Sequence, residues 1–262
     1  MNFFDFIKKS FLIIFLFFIA ISLNSCGTLS KISSGIETQF SEAFGKKKKK
    51  KKEEEPILIE LLRDAEKNFA KGNYEKAYET YKEIRDKFPG SPQAVLAQLR
   101  MADSKFWQGD YLEAIALYEE FEKFYPNNEA IPYVIYQIGT CYYKMKRSYD
   151  RDQSYTQKAI STYQRLLQNF PDNPYRAEAE KRIKELRELL AQHELYIAKF
   201  YYKIKYYRGA YQRILYIINN YPETYASKEA QKLVLTYYQK ALLETKEFAE
   251  GTKKDFWGDK VP

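Results

Sequence analysis

The chain has one histidine, His193, and two cysteines, Cys26 and Cys141, among its 262 residues. A Ser-His-Asp triad, a Cys/His zinc set and a His-Glu-x-x-His helix each need residues that are missing or unsuitably placed. No phosphate-binding Gly-x-x-x-x-Gly-Lys loop and no Gly-x-Gly-x-x-Gly turn occurs. A glycan-cleaving enzyme would need two carboxylates with split pKa values in one cleft. Aspartate and glutamate are plentiful, but most hold positions typical of solvated helix faces. The chain is therefore expected not to be an enzyme, with no cofactor and no metal. Its excess of positive charge is also thinner than the net +8 suggests. Lys46 to Lys52 supply seven of it, leaving 36 basic against 35 acidic residues. A nearly neutral folded part excludes the electrostatic footprint of a nucleic-acid domain.

What the chain does have is a repeat. Gly72-Asn73-Tyr74-Glu75-Lys76-Ala77-Tyr78-Glu79-Thr80-Tyr81 runs on to Phe88-Pro89. Gly109-Asp110-Tyr111-Leu112-Glu113-Ala114-Ile115-Ala116-Leu117-Tyr118 runs on to Tyr125-Pro126, 37 residues later. The Gly-x-Tyr…Ala…Pro spacing is that of a tetratricopeptide (TPR) repeat. Such repeats pair two helices and bury each apolar face only against the neighbouring units. The fold expected is all-α: a TPR-type helical-repeat solenoid of about five helix pairs, behind a disordered N-terminal tether.

Residues 1–25 read as a signal peptide, with Lys8 and Lys9 before an apolar run from Phe11 to Leu23. At ~1.5 Å per residue that run spans roughly 20 Å, short of a ~30 Å hydrocarbon core. Leu23-Asn24-Ser25-Cys26-Gly27 resembles the lipobox of bacterial lipoproteins, with Cys26 as the lipidated residue. The other reading is an uncleaved anchor with an incidental cysteine. Gly27 rather than Asp at the sorting position implies, by that resemblance, delivery to the inner leaflet of the outer membrane. Lipidation of Cys26 leaves Cys141 alone, inside a helical apolar run, where a buried thiol is expected. Residues 26–55 form the tether. Its lysine run reads either as a solvated spacer or as a contact with anionic headgroups, at about 1 kcal/mol per residue.

The array then runs in order. Repeat 1 covers 57–90, with Gly72 as a left-handed cap, Asn73 as an N-cap and Pro89 as the stop. Repeat 2 covers 91–126, with Ser91-Pro92 opening its first helix and Asp110…Glu113 as a possible capping box for its second. Repeat 3 covers 128–171. Its Ala159 and Pro171 lie 45 residues beyond Ala114 and Pro126, and the extra residues fall in a loop at 146–153. Repeat 4 covers 173–222, with Ala210 and Pro222 a further 51 residues on. Fourteen added residues are close to four helical turns, so they can lengthen one helix without rotating its apolar stripe. One long helix is expected from about Pro174 to about Tyr206. A last helix or half repeat covers 225–246, and 247–262 reads as a frayed tail.

With the lipobox, the regular repeats, the Asp150-Arg151-Asp152-Gln153 insertion and the stretched fourth repeat on the page, the chain resembles the BamD (ComL) family of outer-membrane lipoproteins. The resemblance covers about 57–245. It is carried by Ala130-Ile131-Pro132-Tyr133-Val134-Ile135-Tyr136-Gln137-Ile138-Gly139, by the Asp150–Gln153 stretch, by Asn173-Pro174-Tyr175 with Ala179-Glu180-Lys181-Arg182-Ile183, and by Glu194-Leu195-Tyr196-Ile197-Ala198 ahead of Arg213 and Tyr221-Pro222-Glu223-Thr224. It implies a scaffold of the β-barrel assembly (BAM) machinery, working on the periplasmic face of the outer membrane. The implied partners are a barrel protein with POTRA domains, held by the C-terminal repeats, other BAM lipoproteins, and unfolded outer-membrane proteins received by the N-terminal repeats.

Two sets of side chains are singled out. Trp107, Tyr111, Tyr133 and Tyr136 form a candidate groove for client segments ending in aromatics. Tyr74, Tyr81, Tyr111 and Tyr118 hold repeat positions that otherwise serve inter-helix packing. Replacing Trp107 and Tyr133 with alanine is expected to weaken client binding and to leave the melting temperature nearly unchanged. Arg213 is a candidate partner contact through its guanidinium fork; the other reading is an intrachain pair, for instance with Glu247 or Glu250. Asp150, Arg151 and Asp152 order the loop or make a direct contact, and Asp152 is placed to cap the following helix. Another periplasmic TPR lipoprotein adaptor is the rival identity, which the stretched fourth repeat disfavours.

Overall fold

The computed structural model describes residues 55–250. The signal peptide, Cys26, Gly27, the lysine run and the tail beyond Glu250 lie outside the described residues. By compactness the chain divides between Glu60 and Leu61, and 55–60, the described part of the first unit, is helical. The packing that follows is that of the second unit.

All the described secondary structure is helical. α1 covers 55–70. It is followed by α2 (Tyr74–Lys87), α3 (Pro92–Gln108), α4 (Tyr111–Phe124) and α5 (Ile131–Met145). Then come α6 (Ser154–Asn169), α7 (Arg176–Lys203), α8 (Tyr207–Asn220) and α9 (Tyr225–Ala249). From α2 onward each helix packs on the next, and α7 packs on α9 as well. Contacts between near neighbours in sequence are what a solenoid requires. Among the described residues the array is four helix pairs and a single closing helix, in keeping with the expected solenoid of about five pairs whose last unit is a half repeat. No described helix is long and apolar enough to cross a membrane.

The repeat register survives its changing period. Ala77, Ala114, Ala159 and Ala210 are all fully buried. Four residues on, Tyr81, Tyr118, Tyr163 and Ile214 are fully buried as well. A small and a large buried side chain thus recur four residues apart on the same ridge of every second helix. Each of these helices also ends the same way, with the amide of Phe88, Tyr125, Phe170 or Tyr221 donating to the carbonyl four residues back. Proline follows each of those residues and stops the helix.

The turns inside the repeats correct two expected caps. Asn73 and Asp110 make no side-chain cap hydrogen bond. Their amides donate instead to the carbonyls of Asn68 and Lys105, at 2.9 and 3.0 Å. Gly72 and Gly109, at φ +79° and +89°, precede them. This is the Schellman arrangement, a left-handed residue with a six-to-one hydrogen bond behind it. It leaves Asn73 and Asp110 near ψ 62°, away from the extended backbone that a side-chain N-cap needs. Ser91, at φ −78° and ψ 150°, has that backbone, and its hydroxyl accepts from the Ala94 amide at 3.0 Å.

The long helix ends by the same device without a glycine. Lys205 has φ +64°, and the Tyr206 amide donates to the Tyr201 carbonyl at 2.9 Å. Lys205 stands five residues before Ala210, as Gly72 and Gly109 stand before Ala77 and Ala114. α7 therefore stops at Lys203, short of the expected Tyr206. Left-handed backbone costs a side-chain-bearing residue about 1 kcal/mol. Lys205→Gly is expected to raise the unfolding free energy by about 0.5 kcal/mol, the unfolded-state entropy of glycine offsetting part of the relief. Urea unfolding of the two chains reads this directly.

α7 is long enough to grip the last turn. Glu188 accepts from the Tyr225 and Ala226 amides, at 2.7 and 3.3 Å, at the start of α9. Arg187 pairs with Glu223 and donates to the Asn220 carbonyl at the end of α8. A carboxylate at a helix start and a guanidinium at a helix end both complement the helix dipoles. The added turns of repeat 4 thus tie α8 and α9 to one rigid element. α9 itself runs to Ala249, beyond the expected end at Lys246.

Candidate functional site

The four groove candidates fall into two aromatic groups. Trp107, the penultimate residue of α3, is 56% exposed, a large value for an indole inside a folded array. Its ring stacks on Tyr74 at 6.1 Å and 20°, and meets Phe106 edge-on at 5.5 Å. Tyr111 joins through Phe106, at 5.7 Å. Gly109 ends α3 with a sharp reversal, and Trp107 sits at the lip of that turn against the rings of Tyr74 and Phe106. A stacked, half-uncovered indole offers apolar area with little rotamer freedom left to lose.

Tyr133 and Tyr136 open the second group, on the first turns of α5. Tyr136 stacks on Tyr175 at 4.6 Å and 15°, and Tyr133 lies 6.0 Å from the same ring. Tyr133 is a structural tyrosine as much as a surface one. Its hydroxyl donates to Asp103 Oδ1 at 2.8 Å, and Gln137 Nε2 donates to it at 2.9 Å. The Tyr118 hydroxyl reaches the same Asp103 oxygen at 2.6 Å, while Arg100 Nη1 donates to Oδ2 at 3.3 Å. Burial lifts the Asp103 carboxyl above its ordinary pKa, although the two phenols and Arg100 pull it down. Burial likewise raises the Tyr133 hydroxyl, with the Asp103 charge adding to it. Replacing Tyr133 would thus disturb a buried carboxylate, so the expectation that its loss leaves the melting temperature unchanged does not hold for this geometry. Trp107, free of such ties, is the clean probe.

Beside this pair lies Arg182 of α7. Its Nη1 donates to Tyr163 and to Thr140 Oγ1, both at 2.8 Å, and its Nε to Glu178 at 2.9 Å. The guanidinium stands 5.2 Å from the Tyr136 ring and 4.9 Å from Tyr143. Burial pushes the Tyr163 hydroxyl up to about 12. The arrangement is a cation on aromatic faces, able to hold shape but with no nucleophile or acid–base pair poised for reaction.

The other candidates stand apart. Arg213 on α8 donates from Nη1 to Glu194 of α7 at 2.7 Å and keeps 40% of its side chain exposed. The intrachain acid is Glu194, not Glu247 or Glu250. Burial works against the Arg213 charge, but Glu194 outweighs it and raises the pKa. Asp150 accepts from the Ser148 hydroxyl at 2.5 Å, and Arg151 lies 3.7 Å from it. Asp152 accepts from the Ser154 amide at 3.0 Å and from its hydroxyl at 2.9 Å, so it closes the start of α6 from just outside the helix. Cys141 is fully buried, and burial lifts its thiol to about 12.

The loop is organised by a residue that the sequence named only as the last of the Asp150–Gln153 stretch, with no role of its own. Gln153, 5% exposed, donates from Nε2 to the Ser148 and Arg151 carbonyls at 2.8 and 2.9 Å, and accepts from Thr156. One side chain thereby satisfies backbone that the insertion leaves without a ladder. His193 of α7 clamps the outer side through Tyr149, its Nδ1 lying 2.5 Å from the carbonyl. Gln153→Ala is expected to destabilise the chain by about 2 kcal/mol by orphaning these carbonyls, with faster amide exchange confined to 146–156. Asp103 was missed too, and its signal was position: an acid inside the small and apolar run Met101-Ala102-Asp103-Ser104.

Fold and site together define an all-α repeat scaffold whose exposed features are aromatic steps and ion-paired ridges. The family model described as "YfiO: Outer membrane lipoprotein" matches residues 57–254, and the chain belongs to that family. It is similar to the outer membrane protein assembly factor BamD of Pasteurella multocida (strain Pm70), at 29% identity across 69% of this chain and 74% of that protein. BamD of Neisseria gonorrhoeae is 26% identical, over 74% of this chain and 76% of its own length. Among solved structures, a MamA double mutant covers 72% of this chain and 95% of its own, at 14% identity and a TM-score of 0.38.

Proposed function

We propose that this chain is a non-enzymatic scaffold in outer-membrane protein assembly. The family match across the whole repeat array carries that reading. In it, Cys26 bears the lipid, the array hangs on the periplasmic face of the outer membrane, and the tether of 26–55 sets its reach. The C-terminal repeats, stiffened by α7, hold a POTRA-domain barrel protein, with other BAM lipoproteins alongside. Arg213 serves there in an already formed pair with Glu194, so it presents a fixed guanidinium edge rather than a free charge.

The client end is the step formed by Tyr74 and Trp107, with Tyr111 beside it and Tyr133 and Tyr136 further along the array. An extended client segment ending in an aromatic would stack on the open indole face. Trp107→Ala is expected to weaken binding of such a peptide about tenfold, the loss of one aromatic anchor of ~1.4 kcal/mol. Circular dichroism and melting temperature should stay near those of the parent chain. Equal peptide affinity for the two chains, measured by fluorescence anisotropy, would remove this step from the client path.

A further inference from the structure

An open cavity of about 480 Å³ lies against the turn that follows Trp107. Gly109, Asp110, Tyr111, Leu112 and Glu113 line it from that turn and the start of α4, with Met145 from the end of α5. That volume is within the range of cavities that take small ligands. The wall is mixed in character. Leu112, 61% exposed, and Met145 give it an apolar side. Asp110 and Glu113 give it carboxylates, and no basic residue is among the described residues of the wall. Lys105 of α3 pairs with both acids. Its ammonium lies 3.3 Å from Glu113, 3.6 Å from Glu75 and 3.9 Å from Asp110, and 4.4 Å from the centre of the Tyr78 ring. One ammonium among three carboxylates leaves two negative charges in excess. The lysine is buried and its three acidic partners are exposed, so the excess faces solvent.

We infer that this cavity seats a long basic side chain, arginine above all, from the client segment whose aromatic residue lies on Trp107; the inference rests on the client reading of that step. Arginine and lysine carry an apolar stem beneath a charged head. The stem suits Leu112 and Met145, and the head suits Asp110 and Glu113. Both acids come within 3.9 Å of one ammonium, so they stand close enough together for one guanidinium to address both. Trp107 stands two residues before Gly109, at the lip of the same turn, so one extended segment can cover the indole and the cavity. Stacking on the indole alone accepts any aromatic residue. The carboxylates add a choice of sign. The full chain carries net +8, so this preference is local and runs against the charge of the whole molecule.

The probe is a set of short synthetic peptides of glycine, serine and threonine with one phenylalanine and one arginine, the arginine set at successive positions from the phenylalanine. In a matching set citrulline replaces arginine and removes the charge. Fluorescence anisotropy with the full-length chain is expected to show a spacing at which arginine binds about fivefold tighter than citrulline, the upper worth of an exposed charge pair. Asp110→Asn spares Glu113, the closest partner of Lys105, and should reduce that ratio. Asp110→Asn with Glu113→Gln should abolish it, with circular dichroism unchanged. A ratio near one at every spacing in the parent chain would overturn the inference. So would a ratio that survives the double change, which would mean a different seat. Should the double variant fail to fold, Asp110→Asn decides alone, and an unchanged ratio counts against the inference. Trp107→Ala should weaken both peptides alike and leave the ratio intact. If it weakens neither while the ratio still depends on Asp110, the aromatic step leaves the client path and the cavity stands as a seat for basic side chains. No binding by any peptide of the set would overturn both.

Discussion

Gly139→Ala is expected to destabilise the array by about 2–3 kcal/mol, at the upper end of the usual penalty for overpacking. A Cβ built on Gly139 would stand 2.7 and 2.8 Å from two ring carbons of Tyr163. Real side chains do not tolerate that distance, so one partner must move. Tyr163 cannot move cheaply. It is fully buried on α6, and its hydroxyl is held by Arg182 at 2.8 Å with Thr140 at 3.2 Å. Moving the ring would strip Arg182 of a partner and disturb the Tyr136 contact at 6.0 Å. The glycine is therefore the close-approach point of α5 and α6. Gly139→Ala with Tyr163→Leu should cost less than the sum of the two single changes, because the smaller side chain removes the clash while the partners of the Tyr163 hydroxyl are lost only once. Denaturant unfolding of the single and double variants gives the coupling; a neutral Gly139→Ala would mean that the helices separate without cost.

Asp103→Leu is expected to cost about 3 kcal/mol, the usual penalty when one partner of a buried polar pair is removed. It would leave the Tyr118 and Tyr133 hydroxyls without their acceptor and Arg100 with Glu66 alone, at 3.5 Å. Asp103→Asn keeps an acceptor for both phenols but turns an amide toward Arg100, so its loss should be smaller. The pH dependence separates the charge from the hydrogen bonds. The folded pKa of Asp103 is raised above its unfolded value. Between those two values the folded state holds the proton more tightly, so the contribution of this group is greatest below the unfolded pKa and declines as pH rises through the folded one. The parent chain should show that decline through mildly acidic pH, and Asp103→Asn should lack it. Unfolding free energies of the two chains, compared point by point between pH 3 and 7, measure the difference.

These residues also mark where sequence pattern stops being informative. Ala77, Ala114, Ala159 and Ala210 were legible because a recurring small residue reports one physical demand, the closeness of two helices. The 14-residue stretch of α7 was legible because four whole turns leave the apolar stripe in place. Lys205 was not, because nothing in a lysine signals left-handed backbone; only its position five residues before Ala210 does so. Asn73 and Asp110 were misread for a related reason. Their residue type favours an N-cap, but the preceding glycine had already committed the backbone to a Schellman turn. Asp103 gains its meaning from Tyr118 and Tyr133, 15 and 30 residues away. Gln153 gains its own from carbonyls that only the folded loop brings together. Of the candidate site, the aromatic positions were readable and their division into an open step at Trp107 and a tied cluster at Tyr133 was not. That division depends on which hydroxyls find buried partners.

The central claim is that this repeat array works as an assembly scaffold on the outer membrane. It is tested most directly by affinity purification of the tagged full-length chain from detergent-solubilised outer membranes, with the bound proteins identified by mass spectrometry. The account predicts a POTRA-domain barrel protein in near-stoichiometric yield, retained across several salt concentrations because the proposed contact uses a preformed ridge and not loose surface charge. Recovery of pilus components instead, or of no barrel-assembly protein at any salt, would contradict it.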